Sequence, residues 1–285
     1  MIHVHPISSL DHPALQPYLT MRRQEAHREQ GIFVAEGEKV VRRLLKSELG
    51  VVSLLVHEPW LERLQPWLTP RTEEIHAFVA PKAELEKLVG YPMYQGLLAI
   101  GRIPPAVTLA DALRRHASPR LFVAVDGLGN AENLGGLVRN CAAFGGQALL
   151  VGETCSSPWL RRAVRASMGT IYDLSVVETV SLAVSLRDLR LAGVRCVAAH
   201  LRANQRTLAQ ADLRGDCCVV FGNEGRRLAR EDFFHLPYLV GLQVARGQAR
   251  HHRLVVARRY PAGARRHRQR RRADPLKARR HPVKA

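Results

Sequence analysis

Leu121-Phe122-Val123-Ala124-Val125-Asp126-Gly127-Leu128-Gly129-Asn130-Ala131-Glu132-Asn133-Leu134-Gly135-Gly136-Leu137-Val138-Arg139-Asn140 changes its hydrophobic period within a few residues. Leu121 to Val125 is an unbroken apolar run, as a strand covered on both faces requires. Leu134, Leu137, Val138 and Cys141 then recur at helical spacing and predict a helix from Leu134 to Phe144, with Asn133 capping it through its side-chain oxygen. Arg139 falls off that buried stripe. Gly127 and Gly129 make half a dinucleotide fingerprint, but Glu132 stands where the third glycine belongs, which argues against a Rossmann phosphate loop.

The same alternation continues downstream. Ala148 to Val151 reads as a strand, Trp159 to Ala166 as a helix, Ile171 to Val177 as a strand and Ser181 to Leu191 as a helix, before strands Val194 to Ala199 and Cys218 to Phe221. Strand–helix alternation with short connections predicts a mainly parallel sheet, whose ligands bind beyond the carboxyl ends of its strands. In Val219-Val220-Phe221-Gly222-Asn223-Glu224-Gly225 a buried strand runs into a glycine-flanked loop that would aim Glu224 at that crevice. Upstream, Glu38 to Leu49 reads as a helix and Val51 to Val56 as a strand. The basic segment Met21 to Arg28 precedes an apolar run from Gly31 to Gly37, and fits a solvated helix face and an RNA contact equally well. Ile100-Gly101-Arg102-Ile103-Pro104-Pro105 breaks the periodicity and serves as the linker. The expected units are 1–104, 105–245 and a tail, 246–285.

The 285 residues are 46% apolar and 24% charged, which excludes global disorder and suits one large or two modest domains. No run approaches a membrane span, and Met1-Ile2-His3-Val4-His5-Pro6 lacks the regions of an export signal, so a cytoplasmic protein is expected. The formal charge of +18 sits mostly at one end, because residues 246–285 hold 15 of the 43 Lys and Arg but one of the 25 Asp and Glu. That tail is expected to be disordered alone and would hold any polyanion without reading its sequence. Five cysteines with no C-x-x-C pair read as reduced core thiols. The histidines are scattered and the usual hydrolase and zinc motifs are missing, so neither a hydrolase nor a metal is expected.

Three segments in order resemble the motifs of the SpoU family of RNA ribose 2′-O-methyltransferases, within the SPOUT superfamily. They are Asn133-Leu134-Gly135-Gly136-Leu137-Val138-Arg139 with Phe144-Gly145, then Arg165-Ala166-Ser167-Met168-Gly169, then Phe221-Gly222-Asn223-Glu224-Gly225. Phe33 to Gly37 with Val40-Val41, and Tyr94-Gln95-Gly96-Leu97-Leu98-Ala99, are similar to the family's N-terminal substrate-binding domain. The resemblance implies an α/β fold, with a small N-terminal α/β RNA-binding domain and an α/β trefoil-knot methyltransferase domain. It implies a homodimer that moves a methyl group from S-adenosyl-L-methionine to a ribose 2′-hydroxyl of rRNA or tRNA. By the same resemblance Arg139, Asn133 and Glu224 are catalytic, and Phe221, Gly222, Asn223, Gly225 and Leu236 line the cofactor pocket. Arg22, Arg23, Arg28, Arg165 and Ser167 contact RNA. An arginine is a poor base, its pKa lying above about 12. Either an RNA phosphate takes the hydroxyl proton or Arg139 positions that phosphate.

The chain departs from the family after Leu236-Pro237-Tyr238-Leu239-Val240-Gly241, which supplies a strand. The residues that follow contain no Ser-Leu-Asn turn and no apolar helix, and arginine richness begins there. Two hypotheses follow. One is an RNA-binding pseudoenzyme without cofactor binding. The other is a one-base shift of reading frame, which resequencing codons 225 to 260 would reveal as a single-base discrepancy.

Overall fold

The computed structural model describes residues 1–21, 24–89, 96–200, 212–222 and 238–241. Two sheets organise them. In the first, β1 (Ile2–Pro6) leads through α1 (Gln16–Leu19) and α2 (Gln24–Glu29) to β2 (Ile32–Glu36), α3 (Glu38–Lys46) and β3 (Val51–Val56). Next come α4 (Pro59–Leu68), β4 (Ile75–Val79), α5 (Lys82–Val89) and β5 (Leu97–Arg102). The order is β1-β4-β3-β5-β2, with β1, β4 and β3 mutually parallel and β5 antiparallel to both its neighbours. Every residue of β2 is buried, because alternate side chains meet different layers. Phe33 and Ala35 join Val40, Val41, Leu44 and Leu45 of α3, while Ile32 and Val34 join Leu15, Tyr18 and Met21 on the other face.

Arg71 fastens the turn after α3, donating to the carbonyls of Leu45, Ser47 and Leu49 and to the Glu73 carboxylate. Burial pushes the Glu73 carboxyl up, but the Arg71 guanidinium and backbone amides outweigh it and hold the group down at about 2, against an ordinary 4.5. A carboxyl held low contributes stability above its unfolded value and loses it as the pH falls through its folded value. Glu73→Gln is therefore expected to flatten the stability profile between pH 4.5 and about 2. Urea denaturation across that window checks it.

The second sheet begins after α6 (Leu109–Arg115), whose Thr108 cap and Asp111 bond each other reciprocally. It is built from β6 (Leu121–Val125), α7 (Ala131–Ala143), β7 (Ala148–Val151), α8 (Arg161–Ala166), β8 (Ser175–Glu178), α9 (Leu182–Leu191), β9 (Arg195–His200), β10 (Cys217–Phe221) and β11 (Tyr238–Gly241). The order is β11-β9-β10-β6-β7-β8 and every described pairing is parallel, as the unbroken apolar runs require. Val123, Val125 and Leu149 face α7 and α8, while Phe122, Ala124 and Leu150 face Leu182, Leu186 and Leu189 of α9. All five cysteines are free thiols, and all but Cys155 are buried. No helix among the described residues is long and apolar enough to cross a membrane.

Four local expectations change. The cap of α7 is Asn130 rather than Asn133; its side-chain oxygen accepts from the amides of Glu132 and Asn133 at 2.8 and 3.0 Å. The first turn contributes nothing to the buried stripe, so apolar spacing cannot register it. Trp159 precedes α8 instead of opening it. Ile171 lies in a 3-10 turn, Thr170–Asp173, entered through Gly169 at φ +74°, and the strand starts only at Ser175. Ile100, Gly101 and Arg102 finish β5 rather than forming a linker, and a Cβ on Gly101 would sit 2.5 Å from the Phe33 ring. That glycine makes room for an aromatic side chain.

The two sheets share one core. Phe33 of β2 packs on Trp159 and Tyr172 at ring separations of 5.3 and 5.6 Å. Around this contact, Glu36 pairs with Arg161 at 2.6 Å and with Arg165 at 3.0 Å, and Arg43 pairs with Asp173 at 3.2 Å.

Candidate active site

In an open parallel sheet the ligand crevice lies beyond the carboxyl ends of the strands, where the winding reverses. Here the chain steps from β6 outward to β7 and β8, then returns to build β9 and β10 on the other side. The reversal therefore falls between β6 and β10. Their ends are tied together, the Asp126 amide donating to the Phe221 carbonyl at 2.8 Å. Gly222 leaves one strand end, and Asp126 opens the loop into α7 from the other.

That loop is held by the exit of β7. Gly127 turns it with φ +63°. The Ser156 amide donates to the Leu128 carbonyl at 3.0 Å, the Ser156 hydroxyl donates to the Gly129 carbonyl, and the Leu128 amide donates to Cys155 Sγ at 3.3 Å. Gly152 permits this approach, since a Cβ there would lie 2.8 Å from the Val125 carbonyl oxygen. A Cβ on Gly129 would meet nothing within 4 Å, so one side of the loop stays open. Burial pushes the Asp126 carboxyl up; a 3.4 Å bond from Thr154 opposes the rise, and the neighbouring Glu153 charge adds to it.

Gly135 sets the packing of α7 on α8. A Cβ there would fall 2.3 Å from the Ala163 carbonyl oxygen and 2.7 Å from the Ala166 Cβ. Gly135→Ala is expected to destabilise the protein by about 1–3 kcal/mol through overpacking, although alanine is the better helix former. Chemical denaturation checks it, and an unchanged midpoint would mean the helices separate freely. At its far end α7 closes in a Schellman turn: the Gly145 amide donates to Ala142, the Gly146 amide donates to Cys141, and Gly145 adopts φ +77°.

Arg139 is exposed one turn beyond Gly135, along the seam with α8, and makes no ion pair with any described residue. Asn133 is also exposed on α7, but six residues of helix leave the two roughly 120° apart around the axis. One helix face does not carry both. Phe221 ends β10 and Gly222 follows it, at the carboxyl end of that strand. Arg28 is exposed and bonds Glu178 at 2.9 Å, while Arg165 is half-exposed and engaged with Glu36. Ser167 is corrected: it is fully buried, its hydroxyl donating to the Val164 carbonyl at 2.7 Å and accepting from the Gly169 amide at 3.1 Å. It finishes α8 and has no surface to offer RNA. Arg22, Arg23, Asn223, Glu224, Gly225 and Leu236 lie outside the described residues.

Sequence reasoning passed over Asp126, Ser156, Arg161 and Glu36. Asp126 had a signal, as the first polar residue after a buried strand. The Glu36 and Arg161 pair is separated by 125 residues and had none.

The SpoU rRNA Methylase family profile matches residues 120–249. The chain is 28% identical over 227 residues to an "Uncharacterized tRNA/rRNA methyltransferase" of Mycobacterium avium (strain 104), covering 77% of this chain and 72% of that protein. It is 34% identical over 155 residues to the 23S rRNA (guanosine-2'-O-)-methyltransferase RlmB of Vibrio vulnificus (strain CMCP6), over 50% of this chain and 61% of that one. Among solved structures, the AdoMet-bound rRNA methyltransferase from Sinorhizobium meliloti superposes with a TM-score of 0.72 over 86% of this chain and 92% of that chain. Identity there is 22%, so the likeness is one of fold. The matched segment contains the tied ends of β6 and β10, α7 with Arg139 and the α8 corner, and over these residues the chain carries a segment that matches the SpoU rRNA methylase family.

Proposed function

We propose that this protein transfers a methyl group from S-adenosyl-L-methionine to a ribose 2′-hydroxyl of ribosomal or transfer RNA. The observation that carries the reading is the winding reversal, where the ends of β6 and β10 are bonded inside the family segment. The names of the mycobacterial and Vibrio relatives support RNA as the substrate, and the Vibrio name supports the 2′-oxygen. The trefoil knot, the homodimer, the cytoplasmic location and the RNA-binding role of residues 1–104 belong to the same proposal.

The residues present fit the cofactor. The loop over Gly129 is open, the strand end at Phe221 and Gly222 offers backbone, and the Asp126 carboxyl stands at the same crevice. Phe221 and Gly222, with Asn223, Gly225 and Leu236 by resemblance, would hold it. When bound, S-adenosyl-L-methionine supplies an electrophilic methyl group. The protein's own task is to align the attacking oxygen and let its proton leave. Arg139 offers an exposed guanidinium fork that suits a phosphate, which places the RNA backbone and disposes the proton toward that phosphate. Glu224, by resemblance, orients groups beside it.

Calorimetric titration of the full chain with S-adenosylhomocysteine tests the cofactor half of this reading. Saturable micromolar binding is expected. Folded protein that binds none would contradict it and favour the pseudoenzyme.

A further inference from the structure

A cleft of about 200 Å³ opens where α2 and β2 meet the segment between β7 and α8. Ile32, Val34 and Trp159 give it an apolar floor, and Arg28, Arg161 and Ser157 stand among its rim residues. We propose that this cleft receives one unstacked nucleobase of a single-stranded RNA segment, with the adjoining phosphate on Arg28. The identity of the strand as substrate rests on the function proposed above; the binding chemistry does not.

Three observations converge on it. Arg28 and Arg161 both line the cleft, and no carboxylate is among its described lining residues, the partners Glu178 and Glu36 standing outside that lining. Guanidinium groups placed in this way draw phosphate. The side chain of Arg28 is 66% exposed, and its bond to Glu178 lies in solvent, where a phosphate exchanges with it readily. Single-stranded RNA is read by splaying bases onto apolar and aromatic surfaces, which the floor supplies and an acidic peptide would leave unused. Finally, the cleft is joined to the methyltransferase crevice. Ser156 lines it and bonds the carbonyls of Leu128 and Gly129, directly before the Asn130 cap of α7. A base seated here places the neighbouring nucleotides beside that loop.

The test uses the full chain and a single-stranded oligoribonucleotide carrying 2-aminopurine, read by anisotropy and by 2-aminopurine emission. Wild type is expected to bind and shift the emission. Ser157→Trp, which fills the mouth, is expected to weaken binding at least about tenfold, as loss of one stacked base does. Arg28→Ala is expected to lower the salt slope by about one. Circular dichroism confirms that each variant is folded, and a 4-thiouridine oligonucleotide crosslinked to wild type is expected to map to residues 156–161, a readout that needs no variant. Wild-type affinity and emission in folded Ser157→Trp, crosslinks confined elsewhere, or an acidic peptide that displaces the RNA while leaving Ser157→Trp unaffected would each overturn the proposal. Titration of wild type with S-adenosylhomocysteine keeps the two readings apart. Cofactor binding with a cleft indifferent to RNA sinks only the cleft, whereas a cleft-dependent RNA complex without cofactor binding sinks only the methyltransferase.

Discussion

Arg139→Ala is expected to lower methyl transfer by about 10²–10³-fold, the usual effect of removing one donor aimed at developing charge in an active site. The substitution isolates chemistry from folding. Arg139 is exposed, makes no ion pair with a described residue, and lies outside the buried stripe of Leu134, Val138 and Cys141. Its stability effect is expected to stay within about 0.5 kcal/mol, as for surface positions generally. Arg139→Lys keeps the charge but loses the planar fork and is expected to recover only part of the rate. The check is single-turnover methyl transfer beside a thermal melt. Full activity in Arg139→Ala would remove the residue from the site.

Glu36→Ala carries the largest expected stability loss, about 3 kcal/mol, because it leaves Arg161 with its charge poorly solvated and unpaired. Glu36 is 5% exposed and the Arg161 side chain 17%; Arg165, at 54%, loses less. That mixed exposure sets the figure at the low end for breaking a buried pair. The consequence reaches the site, since α8 carries both arginines, packs on α7 through Gly135 and ends at the Ser167 corner. Urea denaturation of Glu36→Ala and Glu36→Gln measures it. A change under about 0.5 kcal/mol would show the pair to be an ordinary surface contact.

The parallel sheet was legible because Leu121 to Val125, Ala148 to Val151 and Cys218 to Phe221 contain no polar residue, and only a doubly covered strand tolerates that. The start of α7 is ambiguous in the sequence because two asparagines three residues apart can both cap, and the buried stripe begins only after the second. Ser167 was legible as a motif position but not in its role, since a serine at a helix end serves backbone geometry as readily as a ligand. The seam between the two sheets was invisible. Phe33 with Trp159, and Glu36 with Arg161, are contacts across more than a hundred residues that no local period encodes.

Methyl transfer to RNA is tested by supplying the full chain with methyl-labelled S-adenosyl-L-methionine and unmodified ribosomal and transfer RNA. The RNA is then digested to nucleosides. Label is expected in a single 2′-O-methylnucleoside from one RNA species, sharply reduced in Arg139→Ala. Label on a base, or no label from folded, cofactor-binding protein across both RNA classes, would contradict it.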